Sequence, residues 1–176
     1  MKRSILIVGA TGVGKSTLSK KLRDLGYESY SIEDIEGIFK MYRKGTREIF
    51  EDYDIKDVEK VRNGEWLCDI AALQELINNQ KTDLAFYCGI GSNTQQMIPL
   101  FGKVILLKVT NEKLRSRLSN REGVEGKMGN TAETRDEVFG WKDWWENEMQ
   151  KKGAIAIDAY GPVEEITGKV LEVTKE

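Results

Sequence analysis

The nine residues Gly9-Ala10-Thr11-Gly12-Val13-Gly14-Lys15-Ser16-Thr17 constrain this chain more than any other stretch. They satisfy G-x-x-x-x-G-K-[ST] and stand between the apolar run Ile5-Leu6-Ile7-Val8 and a segment with Leu18, Leu22 and Leu25 at helical spacing, which stops at Gly26. A glycine-rich turn between strand and helix lets several backbone N–H groups converge on one phosphate. The helix adds its unsatisfied amides and the positive end of its dipole. Lys15 supplies a point charge between the β and γ phosphates, Ser16 a hydroxyl for Mg2+, and Thr17 a hydroxyl within reach of the α phosphate. A nucleoside triphosphate with magnesium is the expected ligand.

The remainder of the chain falls in with that start. Apolar runs at 5–8, 84–88, 104–109 and 154–157, with a weaker one at 28–32, are nearly continuous rather than alternating. Strands of a parallel sheet covered by helices on both faces read this way. Between them lie segments of helical spacing: Leu73, Leu76 and Ile77; Leu114 and Leu118; Val138, Trp141 and Trp145; Val163, Ile166 and Val170. The alternation predicts βαβ units with right-handed crossovers and an α/β fold of three αβα layers around a five-stranded parallel sheet. No linker, repeat or low-complexity tract divides residues 1–176, so one domain is expected. Two stretches break the rhythm, 39–64 and 121–135, and read as insertions or mobile segments over the site.

Composition excludes several kinds of chemistry. Lys and Arg number 27 against 29 Asp and Glu, a net charge of −2, so nothing in the bulk electrostatics favours a nucleic acid and any anion must be held locally. Histidine is absent, which removes imidazole bases and His-dependent triads. Cys68 and Cys88 lack CxxC spacing, so neither a disulfide framework nor a zinc site is expected, and a reducing, cytoplasmic setting follows. The N-terminal apolar run is too short for a signal segment, and no membrane association is expected.

The motif set narrows the class further. A guanine-reading [NT]KxD is not supplied by Thr110-Asn111-Glu112-Lys113, and the run 84–88 continues into Gly89-Ile90-Gly91 rather than the acid of a transporter-type or AAA-type ATPase. With these features the chain resembles the nucleoside monophosphate kinase and shikimate kinase group of small P-loop kinases. That resemblance implies an acceptor-binding helical insertion at about 37–70 and a lid at about 121–135. In Ser31-Ile32-Glu33-Asp34 it implies that Asp34 lies beside the magnesium and the acceptor hydroxyl. Gly89 and Gly91 match the glycines whose amides approach the acceptor. Arg117-Leu118-Ser119-Asn120-Arg121 resembles the R-x-x-x-R in which the first Arg packs on adenine and the second reaches the phosphates. The loop with Gly161 and Pro162 resembles the one that frames adenine. Arg43, Arg47, Arg62, Trp66 and Asp69 fall in the segment that binds the acceptor in such kinases. The combination of Gly91-Ser92-Asn93 with Leu100-Phe101 also looks like bacterial proteins labelled as AAA-family ATPases or shikimate kinase-like.

Plainer roles stand beside these. Asp34 is also a residue type that caps helices; Arg117 and Arg121 also suit a solvated helix face; Lys127 and Arg135 suit a lid or a merely soluble loop. Trp141, Trp144 and Trp145 at helical spacing suit core packing more than base stacking. The expected activity is transfer of the γ-phosphate of ATP to a small-molecule acceptor, a nucleoside or nucleotide first, by a monomer or homodimer. The alternatives are a shikimate-like metabolite kinase and a nucleotide-binding regulatory ATPase module.

Overall fold

The computed structural model of this protein describes residues 2–120 and 126–175. Its strands are β1 (Arg3–Val8), β2 (Glu28–Ser31), β3 (Phe39–Arg43), β4 (Gly64–Cys68), β5 (Leu84–Cys88), β6 (Lys103–Lys108) and β7 (Ile155–Asp158). Its helices are α1 (Lys15–Asp24), α2 (Val58–Arg62), α3 (Ile70–Asn78), α4 (Thr94–Met97), α5 (Asn111–Ser119), α6 (Ala132–Lys151) and α7 (Val163–Val173). Five strands form one parallel sheet in the order β2-β5-β1-β6-β7, with β1 at the centre. All five apolar runs of the sequence are thus strands of that sheet, each within two residues of its expected limits.

Strand alternation sorts the core into two halves. Ile5 and Ile7 of β1 meet Leu18, Leu22, Leu114, Leu118 and Val170 from α1, α5 and α7. Leu6 and Val8 point the other way, toward Leu73, Met97 and Met149 from α3, α4 and α6. Both halves are fully apolar around β1, as a central parallel strand requires.

The insertion differs from the helical one expected. Residues 39–68 form an antiparallel ribbon of β3 and β4, Phe39 opposite Cys68 and Arg43 opposite Gly64, and its helical content is the five-residue α2. Its pattern has period two: Phe39, Met41, Trp66 and Cys68 on one face, Lys40, Tyr42, Glu65 and Leu67 on the other. The Asp69 N–H donates to the Ile38 carbonyl at 2.7 Å, so the ribbon leaves and rejoins the core at one point.

Three residues after β5 seat the ribbon on the sheet. The Ser92 N–H donates to the Trp66 carbonyl at 2.7 Å, and the Asn93 amide brackets Cys68, accepting from its N–H and donating to its carbonyl, both at 2.9 Å. At Gly91 a Cβ would lie 2.8 Å from the Trp66 carbonyl oxygen and 2.9 Å from the Phe39 ring, so only glycine admits the ribbon this closely. At the far end, Arg62 of α2 donates through Nε to Glu137 of α6 at 2.8 Å. Helix α6 is itself seated against β6, where Glu146 lies 3.6 Å from the Lys108 ammonium. The insertion is thus anchored to the rest of the fold at two places, the residues just after β5 and the N-terminal half of α6.

The expected lid is divided. Residues 121–125, Arg121 among them, lie outside the described residues. Residues 132–135 form the first turn of α6, opened by a reciprocal capping pair of Thr131 and Thr134.

Candidate functional site

The glycine-rich turn rises from β1 into α1, whose N-terminal cap is Gly14. Gly12 has φ 88°, in the left-handed region, and a Cβ there would lie 2.8 Å from Leu118 Cδ2 and 3.0 Å from Leu114 Cδ1. The loop therefore rests directly on α5. Lys15 opens α1, and its ammonium curls back over the loop to donate to the Gly9 carbonyl at 2.7 Å, with the Ala10 carbonyl at 3.4 Å. Ser16 and Thr17 are exposed in the first turn, and Val13 and Ala10 are buried beneath.

Arg117 ties this loop to the far side of the sheet. Its guanidinium donates to the Val13 carbonyl at 2.9 Å and to the Ala159 carbonyl at 2.8 Å, with the Tyr160 carbonyl at 3.5 Å. One planar fork thus spans the turn after β1 and the turn after β7. It borders a cleft of about 310 Å³ that also takes in Gly12, Val13, Thr17, Leu107, Asn120 and Gly161. Pro162, next in the chain, caps α7 and accepts from the Glu165 and Ile166 N–H groups. The sequence thus brings Arg117 and Gly161 to one cleft beside the loop, and Asn120 joins them there.

On the other face, Asp34 ends a short 3-10 turn (Ile32–Asp34) after β2 and is exposed, capping no α-helix. Its neighbour Glu33, to which sequence reasoning gave no role of its own, accepts from the Ile90 N–H at 2.6 Å and pins the glycine stretch after β5. At Gly89 a Cβ would lie 2.5 Å from Ile32 Cγ1, so these two strand ends touch.

The acceptor candidates separate into two groups. Trp66 is half-buried on the ribbon's inner face, stacked on Phe39 with centroids 5.4 Å apart. Arg43 is bonded to Asp52 at 2.7 Å and lies over the Phe50 ring at 4.1 Å; Arg62 holds Glu137 at 2.8 Å and Glu59 at 2.9 Å. Asp69 caps α3, accepting from the Ala72 N–H at 3.0 Å. With Arg47 it lines a groove of about 820 Å³ on the ribbon's outer side, together with Lys40, Tyr42 and Glu65.

Two of the three tryptophans of α6 are packing residues. Trp141 and Trp145 meet edge to face at 5.9 Å against the core, whereas Trp144 is 62% exposed. Arg135 donates to the Gly129 carbonyl at 3.4 Å, and Lys127 is exposed.

Helix α6 also carries a pair that sequence reasoning does not single out. Lys142 and Glu146, each 2% exposed, face one another at 3.1 Å. Their i,i+4 spacing is the available signal, but such pairs ordinarily lie on the surface. Burial pushes the Cys68 and Cys88 thiols up to about 12, so neither is a thiolate nucleophile near neutral pH. Among the described residues, no helix is long and apolar enough to cross a membrane.

Comparison with known proteins agrees with this arrangement. A nucleotide-binding protein of Coprothermobacter proteolyticus is 25% identical over 139 residues, 77% of this chain and 47% of the relative, so the chain spans about half of that relative's length. A gluconokinase from Sinorhizobium meliloti superposes with a TM-score of 0.58 at 16% identity over 97% of this chain and 90% of that one. Deoxyadenosine kinase from M. mycoides with bound dATP gives 0.57 at 16% over 99% and 100%. Shikimate kinase from Bacteroides thetaiotaomicron gives 0.52 at 16% over 99% of both. At such identity these likenesses concern the fold, which is that of the P-loop kinases. The family described as AAA domain matches residues 5–140, and the chain belongs to it.

Proposed function

We propose that this protein is an ATP-dependent phosphotransferase that moves the γ-phosphate of Mg-ATP to a small-molecule acceptor, a nucleoside or nucleotide first. The observation that carries the reading is the thirty-residue insertion anchored on Gly91, Ser92 and Asn93 just after β5, the strand beside β1, and on Glu137 of α6. A plain nucleotide hydrolase has no need of such an addition next to the strand that carries its phosphate loop. A transferase does, because the acceptor must lie in line with the phosphoryl group while water is kept away.

In this reading the loop amides of residues 9–14 and the Lys15 ammonium bind the phosphates, and the cleft beside Arg117 and Gly161 takes the base. Asp34 orients the acceptor hydroxyl. The new bond joins the acceptor oxygen to the γ phosphorus, the β–γ bridging P–O bond breaks, and the hydroxyl proton passes to the Asp34 carboxylate. Stabilisation is electrostatic and positional, so the lack of histidine costs nothing.

The residues suit magnesium bound in the manner this reaction uses. Mg2+ retains several waters and takes few protein ligands. Among the described residues no three His, Cys, Asp or Glu side chains gather into a cage, whereas Ser16 and Asp34 each present an exposed oxygen near the loop or the adjoining strand end. Bound there, the ion would supply charge neutralisation at the phosphates.

A second reading, a nucleotide-binding regulatory module, is favoured by one observation: β5 ends in Cys88 and runs on into Gly89, without a terminal acid. The two part on one assay. ADP formation is measured with and without a panel of nucleosides, nucleotides and small hydroxy acids, for the wild type and Lys15→Ala. Acceptor-stimulated turnover lost in Lys15→Ala, with an unchanged circular dichroism spectrum, supports the kinase. Turnover raised by no acceptor refutes it.

A further inference from the structure

If the protein is a phosphotransferase, the insertion narrows the class of acceptor it can take. On that premise we infer that the acceptor is a flat, unphosphorylated hydroxyl compound, a nucleoside or a similar ring-bearing alcohol, and that nucleoside monophosphates are excluded as substrates.

Three observations converge on it. The first is charge. A phosphomonoester near pH 7 carries close to two negative charges and calls for a cup of cations. Residues 37–70 contain seven Lys and Arg against eight Asp and Glu, so the segment as a whole is slightly acidic. The second is where its cations are spent. Among the described residues, Arg43 is the one cation on the inner face of the ribbon by register, and it is held by Asp52 and the Phe50 ring. Lys60 shares the same carboxylate, at 3.4 Å. Arg62 is forked between Glu59 and Glu137. Each of these pairs is exposed and individually weak. An incoming phosphate would nonetheless have to displace carboxylates that remain beside it, so its own attraction is largely cancelled. Lys40 stands on the opposite face with Tyr42 and Glu65, and Arg47 lines the groove on that outer side.

The third observation is what the inner face does offer. Phe39, Met41 and Trp66 are adjacent across the ribbon: Phe39 is buried and stacked on Trp66, while Met41 and Trp66 keep a minor part of their surface exposed. The Trp66 backbone is fixed to Ser92 and packs on Gly91, so the indole is held at the C-terminal end of β5, one strand from the phosphate loop. A rigid aromatic and thioether surface in that place binds a planar ring through its π-face, and it offers nothing to a phosphate.

The test compares adenosine, guanosine, cytidine and thymidine, and a flat non-nucleoside alcohol, with their 5′-monophosphates where these exist. Full-length protein is used for both ATP-coupled turnover and calorimetric binding in the presence of a non-hydrolysable ATP analogue. The expected result is an unphosphorylated compound whose kcat/KM exceeds that of its monophosphate at least tenfold. Trp66→Ala should raise the acceptor KM tenfold or more and leave the ATP KM within twofold; Trp66→Phe, which keeps a ring, should restore most of the loss at a matched melting temperature. A monophosphate preferred over its parent overturns the inference, as does an acceptor KM that neither Trp66 variant moves. Should no compound be phosphorylated, the kinase reading fails and with it the word acceptor, and calorimetry decides the remaining content: binding of an unphosphorylated ring compound that Trp66→Ala weakens keeps ring recognition by the insertion, and binding of monophosphates alone, or of nothing, overturns that too.

Discussion

Arg117→Ala removes two hydrogen bonds of 2.9 and 2.8 Å from a guanidinium to the Val13 and Ala159 carbonyls, the contacts that join the turn after β1 to the turn after β7. A hydrogen bond to a charged group contributes about 1.5–3 kcal/mol, so the pair sets an upper range of about 3–6 kcal/mol. Arg117 is only partly buried, and it borders a cleft of about 310 Å³ through which water can reach both abandoned carbonyls. The cost is therefore expected at about 2–4 kcal/mol, or a fall in Tm of roughly 4–16 °C for a domain of this size. The same loss loosens Val13 and with it the amides that hold the phosphates, so affinity for a non-hydrolysable ATP analogue should fall about 10- to 100-fold, about 1.4 kcal/mol per decade. Differential scanning calorimetry and isothermal titration on the same samples give both numbers. Arg117→Lys keeps the charge without the planar fork and should regain less than half of either. A variant that melts within about 2 °C of wild type and binds the analogue with unchanged affinity would show that the guanidinium bridge holds nothing together.

Other perturbations test separate parts of the molecule. Asn93→Ala takes away both bonds to Cys68, about 1–3 kcal/mol in all, and should free the ribbon rather than the core; amide exchange within 39–68 should quicken while the β1 and β6 amides stay protected. Lys142→Ala leaves the buried Glu146 carboxylate with the Lys108 ammonium at 3.6 Å as a remaining cation and should cost up to about 3–5 kcal/mol in urea unfolding, the range for breaking a buried pair, whereas Lys142→Met with Glu146→Leu should come within about 1 kcal/mol of wild type or exceed it. At Glu28, burial pushes the carboxyl up, but bonds from the Tyr30 hydroxyl and from Thr82 and Lys81 outweigh it and hold the group below its ordinary 4.5. A lowered folded value means that the group stabilises the protein above pH 4.5 and that this contribution is lost as the pH falls through the folded value. Glu28→Gln should accordingly flatten the acid limb of a Tm-against-pH curve below that point, and an unchanged limb refutes the assignment.

How far the sequence carries depends on the range of the interactions involved. The three inner strands β1, β5 and β6 are legible because each is a run of apolar residues buried on both faces, a property local to the run, whereas the edge strands β2 and β7 leave a weaker trace, being only partly buried; the loop at 9–17 is legible because its glycines and Lys15 answer to one ligand. The ribbon is not. Phe39–Arg43 and Gly64–Cys68 alternate for only five residues each, amid charged neighbours, and what seats them on the sheet is contact with Gly91, Ser92 and Asn93, some 25 to 50 residues distant in the chain. The period-two pairing of Phe39 with Met41 and of Trp66 with Cys68 is the trace left in the sequence. Arg43 and Arg62 show the same limit from the chemical side. Their residue type suits an anion, but what they hold is decided by Asp52 and by Glu137, the latter 75 positions away. Arg117 is legible in place, by its spacing within α5, though not in its partners, which are backbone carbonyls without a sequence signature.

The single hydrogen bond from the Asp69 N–H to the Ile38 carbonyl has a consequence for how such a protein can change. It brings the two stems of the insertion together, so the thirty residues between them form a cassette whose exchange leaves the sheet, the phosphate loop and the Arg117 bridge with the same end-to-end distance to close. Lengthening the cassette adds little closure entropy, about 0.6 kcal/mol for each doubling. Grafting another ribbon between Ile38 and Asp69 is thus a small perturbation of the fold, and selectivity carried on this segment can drift while the nucleotide half of the molecule stays as it is.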